Sequence, residues 1–233
     1  ALQRHDAGSL QAFEYISGAG MDLVLRHIPG VALPLADRAD HYVLLELATG
    51  REGADLAAEL EAVLGKAIEA GWVRDAVVAA SGAQRSALWK LREEHSESQK
   101  RAGANVKNDV SVPISRIARF IAEAGAACEA LVPGIRVAPF GHLGDGNIHF
   151  NLVQPEGADG AAFLARQEDI MAAVNEVVRA LGGSFSAEHG IGRLKTAYLP
   201  DWRGGAELWA MQAIKRALDP SGTLNPGKVL PPG

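Results

Sequence analysis

The sequence predicts an α+β protein with a mainly antiparallel sheet and helices packed on one face. Three observations carry this expectation. From residue 105 to 188 the apolar pattern switches period in the order strand, helix, strand, strand, helix, strand. The two middle strands meet at Asp145-Gly146 in "FGHLGDGNIHF", a strong hairpin signal. Two long amphipathic runs, "SRIARFIAEAGAACEALV" and "DGAAFLARQEDIMAAVNEVVRALGG", supply the helices. That order is the ferredoxin-like split β-α-β unit. It suggests subdomains 1–104 and 105–190 with a helical tail 191–233.

Taken in order, "SLQAFEYISGAGMDLVLRHI" reads as helix, followed by a connection through Pro29 and Pro34. "HYVLLEL" (41–47) reads as strand. The next helix places Leu56, Leu60, Val63, Leu64, Ala67 and Ile68 on one face and stops at Gly71. "WVRDAVVAA" (72–80) reads as strand, "AQRSALWKLREEHSESQKRAG" as one polar helix, and "NVKNDVSVP" (105–113) as a strand ended by Pro113. Ser115 is a candidate N-cap for a helix with Ile117, Phe120, Ile121 and Ala124 on its apolar side. "IRVAPFGH" and "NIHFNLV" form the hairpin. A long helix then stops at Gly182-Gly183, and "SFSAEHG" reads as a short strand entering a glycine-bearing loop. "GGAELWAMQAIKRALDP" is the last helix, and "SGTLNPGKVLPPG" is turn-rich.

Composition narrows the function classes. The net charge is −5, and no block of Lys and Arg suggests a nucleic-acid surface. An anionic ligand must be caught by a few local basic residues. The single cysteine, Cys128, excludes an intrachain disulfide and reads as a small buried core residue. No run approaches the roughly 20 apolar residues that span a bilayer. A cytoplasmic location is expected, with membrane association as the alternative. The first residue is Ala, and the chain is expected to be a piece of something longer.

With a two-residue loop at Asp145-Gly146, Gly144 would pair with Asn147, Leu143 with Ile148, and His142 with His149. Ile148, Phe150 and Leu152 would then face the core, and His142, His149 and Asn151 the other side. Two imidazoles so placed suit a zinc-like ion, but spacing alone leaves a hydrogen-bonded pair beside a turn equally open. "SAEHGIG" offers Glu188 and His189, and Gly190 and Gly192 permit a bend that would let both line one site. A His2Glu set with an open fourth position is of the catalytic kind.

"HLGDGNIH" and "SAEHGIG", in this order and with "AFEYIS", "LLEL", "LWKLREEHSES", "KNDVSVPIS" and "DPSGTLNPGKVL" around them, span nearly the whole chain. Together they resemble the C-terminal substrate domain of FAD-linked oxidases, in the D-2-hydroxyacid dehydrogenase branch that includes D-2-hydroxyglutarate and D-lactate dehydrogenases. The resemblance implies that His142, His149 and Glu188 hold a divalent metal, usually zinc, and that His189 is the general base. It implies that Arg92, Ser96, Lys107 and Asn151 bind a small 2-hydroxyacid, with His189 beside it, and that Asn225 touches the flavin. On their own, "KLREEHSESQKR" reads as a solvated helix face with His95 on the surface, Lys107 as an ordinary exposed lysine, and "NPGK" as a plain turn.

The resemblance also implies a separate FAD-binding domain, supplied in cis or in trans. No glycine-rich nucleotide loop follows a strand near the start of this chain, so the isolated chain is expected to bind FAD weakly and not to turn over. A homodimer is left open, and the electron acceptor is unnamed. Lys107 leans the substrate towards D-2-hydroxyglutarate over lactate. Two other readings compete: a self-sufficient zinc hydrolase using His142, His149 and Glu188, and a binding or assembly module without catalysis.

Overall fold

The structure is a computed structural model that describes residues 9–231. Contacts divide the chain into two units, one ending at Phe185 and the other beginning at Ser186.

In the first unit, β1 (Leu10–Ser17) runs into α1 (Gly18–His27), and β2 (His41–Leu47) precedes α2 (Leu56–Glu69). Next come α3 (Gly82–Glu93), α4 (His95–Ala102), β3 (Asn105–Val106) and β4 (Asp109–Ser111). After α5 (Ile117–Leu131) the chain forms β5 (Arg136–Val137), β6 (Phe140–His142), β7 (Asn147–His149) and β8 (Leu152–Val153), then α6 (Gly160–Leu164) and α7 (Gln167–Ala180). A five-stranded sheet has the order β2-β1-β6-β7-β4 and a three-stranded sheet the order β3-β8-β5. Every ladder is antiparallel. The α+β expectation therefore holds. Ser184 bridges Ser111 antiparallel, so Ser184, β4, β7 and β6 lie side by side in the order expected of the split unit, its last strand reduced to one bridge.

Three segments serve both sheets: 105–111, 136–142 and 147–153. Each breaks where its backbone is bonded sideways. The Asn108 side chain donates to the Phe150 carbonyl at 3.0 Å, and the Phe150 N–H returns to the Asn108 carbonyl at 2.7 Å. Asn108 thereby splits the predicted 105–113 strand in two. Against the sheet, Phe120 of α5 meets Phe150 with ring centroids 5.0 Å apart, and α5 packs on α7. Of the apolar positions the sequence marked, Ile117, Phe120 and Ala124 are buried and Ile121 is half-buried, and Cys128 is buried as expected. So are Ile148, Phe150 and Leu152, with no exposed surface. Burial pushes the Cys128 thiol up to about 11, which makes it inert.

Several local expectations change. Residues 10–17 form a strand because they lie between β2 and β6 and are hydrogen-bonded on both edges; a short apolar run cannot be assigned by periodicity alone. The helix begins only at Gly18, where Ser17 Oγ accepts from the Gly20 N–H at 3.1 Å. Residues 72–80 form no strand, since no neighbouring segment supplies a ladder; Trp72 and Val77 are exposed. The polar helix after residue 81 is interrupted at Glu94. Ser115 makes no cap bond, because a 3-10 turn (Ile114–Arg116) precedes α5. The face predicted for α2 is at most half-buried. Beyond Ser184, "SFSAEHG" is bends rather than strand.

The second unit holds α8 (Leu199–Arg203) and α9 (Ala206–Leu218). Its tail is clasped by Asp219, whose carboxylate accepts from the Thr223 and Leu224 N–H groups at 2.9 Å each and pairs with Lys215. Among the described residues no helix is long and apolar enough to cross a membrane.

Candidate metal and substrate site

The hairpin turn is longer than a two-residue loop. Leu143 to Gly146 form it, with the Asp145 and Gly146 N–H groups both donating to the His142 carbonyl, at 3.4 and 3.2 Å. The Asp145 carboxylate accepts from the Asn147 N–H at 2.9 Å, and only Gly146 has positive φ, at 86°. The register is therefore His142 with Asn147 and Phe140 with His149, not His142 with His149. A shift by two residues leaves each side chain on its expected face. His142 and His149 become diagonal neighbours, their rings 5.7 Å apart and edge-on at 75°.

Buried carboxylates face both imidazoles. Glu14 of β1 stands opposite His142 of β6, and its Oε1 lies 3.0 Å from His142 Nδ1. Asp109 of β4 stands opposite His149 of β7, with Oδ1 3.5 Å from Nδ1. Glu14 and Asp109 are only 5% and 3% exposed, so neither is a casual surface neighbour. Histidines that ligate metal usually hold their other ring nitrogen against a carboxylate in this way.

Arg92, at the end of α3, is buried. Its Nε and Nη2 reach the same oxygen, Glu14 Oε2, at 2.8 and 2.7 Å. Its guanidinium carbon lies 4.8 Å from the centre of the Phe140 ring, a cation–π contact. Phe140 also stacks on His95 and tilts against His149, with centroids 5.0 Å apart in each case. His95 is wholly buried, not on the surface: after the break at Glu94, α4 turns His95, Ser98 and Gln99 inward. Burial, with Arg92 nearby, pushes its imidazole down to about 3, so it is neutral.

The remaining predicted residues are scattered in environment. Asn151 is buried and donates its amide to Gln99 Oε1 at 2.8 Å, while Gln99 donates to the Ala138 carbonyl. Ser96 is exposed on α4, a different helix from Arg92, and Lys107 is exposed between β3 and β4. In the second unit Glu188 and His189 are exposed, and Gly190 and Gly192 take the positive φ that a bend there requires. Asn225 is exposed and has φ 46° in a turn where the Lys228 N–H bonds its carbonyl at 3.3 Å. Reasoning from sequence missed Glu14 and Asp109. A signal existed for Glu14, a lone carboxylate between Phe13 and Tyr15 in a mainly apolar run and costly to bury without a partner; Asp109, beside Lys107, Asn108 and Ser111, carried none.

The family described as FAD linked oxidases, C-terminal domain, matches residues 2–229. The chain belongs to this family. Among relatives of this FAD-linked oxidase domain, D-2-hydroxyglutarate dehydrogenase of Xanthomonas citri pv. viticola is 40% identical over 94% of the chain and 46% of that protein. The protein of the same name from Stutzerimonas stutzeri is 37% identical over 96% of the chain and 47% of its own length. The mitochondrial D-2-hydroxyglutarate dehydrogenase of Arabidopsis thaliana is 37% identical over 95% of the chain and 38% of its length. The FAD-linked oxidase domain here thus spans under half the length of these curated relatives.

Proposed function

We propose that this chain is the substrate- and metal-binding part of an FAD-dependent dehydrogenase that oxidises a D-2-hydroxyacid to the 2-oxoacid, with D-2-hydroxyglutarate the leading substrate. The observation that carries this reading is the pair His142 and His149, 5.7 Å apart and each with Nδ1 facing a buried carboxylate. Family membership and the names of the relatives support the reaction class and the substrate.

In this reading His142, His149 and Glu188 hold a divalent metal such as zinc. When bound, the metal supplies Lewis acidity that lowers the pKa of the substrate hydroxyl. FAD, held mainly by a domain supplied in cis or in trans and touched here by Asn225, supplies the hydride acceptor for C2. The work of this chain's residues is to bind, orient and move one proton. His189 accepts the hydroxyl proton at a ring nitrogen. Arg92 offers Nη1 to the substrate carboxylate, because Glu14 engages its other two nitrogens. Lys107 adds a mobile positive charge, which favours a dicarboxylate over lactate. Asn151, its amide N–H2 turned to Gln99, contributes its Oδ1 as acceptor, and Ser96 supplies a hydroxyl.

Elemental analysis of the purified chain beside His142→Ala and Glu188→Ala tests the core of this. About one zinc per chain, lost in both variants, is the expected result. Absence of metal from the unmodified chain even after zinc is added would return the two histidines to packing. Adding the flavin domain then tests turnover: oxidation of D-2-hydroxyglutarate, and none of it with His189→Gln, is expected.

A further inference from the structure

We propose that Phe140 is a positioning residue for substrate binding: its ring face seats the Arg92 guanidinium by a cation–π contact and so sets the direction in which Nη1 reaches the substrate carboxylate. This rests on the function proposed above and extends it to a residue outside the metal and substrate sets.

Phe140 stands on β6, the middle strand of the five-stranded sheet, and is only 5% exposed. Its ladder partners are Ile16 on β1 and His149 on β7, so its ring lies on the sheet face that carries Glu14, His142, Asp109 and His149. Three ionisable side chains meet that ring. The Arg92 guanidinium carbon lies over it at 4.8 Å, His95 stacks on it at 5.0 Å and 21°, and His149 tilts against it at 5.0 Å. Phe120, by contrast, packs on another phenylalanine, Phe150. An aromatic face carries partial negative charge and attracts a cation, more strongly where water is excluded.

The salt bridge alone does not fix the guanidinium. Arg92 Nε and Nη2 both reach one oxygen, Glu14 Oε2, at 2.8 and 2.7 Å. Two parallel bonds to two oxygens would define a plane, whereas two bonds converging on one oxygen leave a pivot about it. Glu14 Oε1 is turned to His142 Nδ1 at 3.0 Å and does not supply the second point. The Phe140 ring supplies it, from a different strand of the sheet. Held at Oε2 and over the ring face, the guanidinium presents Nη1 in one direction.

The experiment changes the electrostatics of the ring while keeping its size. Phenylalanines bearing one, two or three ring fluorines are incorporated at position 140 of the full chain; each fluorine weakens the negative face while the volume stays nearly constant. Circular dichroism confirms the fold of each form. In the first arm, NMR exchange between the two Arg92 Nη groups of the metal-free chain measures rotation of the guanidinium. Rotation that quickens with each fluorine is expected; a rate indifferent to fluorination overturns the proposal whether or not any hydroxyacid binds. In the second arm, calorimetry gives the dissociation constant of D-2-hydroxyglutarate for the zinc-loaded chain. A stepwise rise, reaching about 3- to 10-fold with three fluorines, is expected, with zinc affinity level across the series. An unchanged dissociation constant across the series overturns the positioning role and leaves the function proposed above standing. No binding of D-2-hydroxyglutarate by the unmodified chain, with or without the flavin domain, overturns that function and with it the substrate role of Arg92.

Discussion

His95 lies nearly flat on Phe140, ring centroids 5.0 Å apart with 21° between the planes, and among the described residues neither imidazole nitrogen has a hydrogen-bond partner. Burial pushes its pKa from 6.5 to about 3, with the Arg92 charge adding to the effect. Because the folded value lies below the unfolded one, the unfolded chain takes up a proton in that window that the folded chain refuses. Stability should therefore fall as pH drops from 6.5 towards 3. His95→Phe, which keeps the stack and removes the titrating group, should flatten this fall. Urea midpoints at pH 4.5 and pH 7 check it, and an equal drop in both proteins would show that His95 is not the source.

At Gly146 the backbone has φ 86°, and a Cβ there would stand 2.2 Å from the Val112 carbonyl oxygen. That carbonyl sits on backbone, so it cannot yield cheaply, and the Gly146 carbonyl accepts the Val112 N–H at 3.1 Å. Gly146→Ala should cost about 3 kcal/mol through strain and overpacking. Chemical denaturation measures it. The zinc affinity proposed above should fall in parallel, since the same turn sets the register of His142 and His149.

Phe120 has no exposed surface and meets Phe150 at 5.0 Å between α5 and the sheet. Phe120→Ala should destabilise by about 3–5 kcal/mol, whereas Phe120→Leu should cost far less because it retains most of the volume. Thermal unfolding of the two variants separates cavity formation from loss of the aromatic pair.

In the second unit the Asp219 carboxyl is held down to about 2, first by its hydrogen bond from Lys215 and then by the Leu224 N–H. Its contribution is present above the usual value of 3.8 and is lost as pH falls towards 2. Asp219→Ala removes the acceptor for Thr223 and Leu224 and should loosen residues 220–230. Limited proteolysis at pH 7 should cut the variant in that stretch several-fold faster, and an unchanged cleavage pattern would count against the clasp.

Much of the candidate site was legible in residue types and order. The helix 117–131, the long helical run that the structure breaks between Leu164 and Gln167, the existence of the 140–150 hairpin, and the placement of Ile148, Phe150 and Leu152 inward with His142 and His149 on the opposite face follow from local periodicity. The bend at Gly190 and Gly192 follows from glycine's tolerance of positive φ. Residues 10–17 read as helix because their short apolar run fits either period, and the answer lay in strands about 30 and 125 residues away in sequence. His95 read as surface because its neighbours are charged; only the break at Glu94 turns it inward.

By itself, the sequence determined the fold class, the buried face of α5, the two histidines' shared side and the family whose pattern they fit. Each of these is encoded along one short segment, or in the order of segments, where side-chain spacing is sufficient. Tertiary structure alone decided the hairpin register, which depends on the turn's hydrogen bonds to His142 and on Val112 crowding Gly146. It alone also decided that Glu14 lies between Arg92 and His142, three residues drawn from β1, α3 and β6. Such a buried charged group is settled by which strands become neighbours, and strand pairing is set by burial summed over the whole sheet rather than by any stretch of its own sequence.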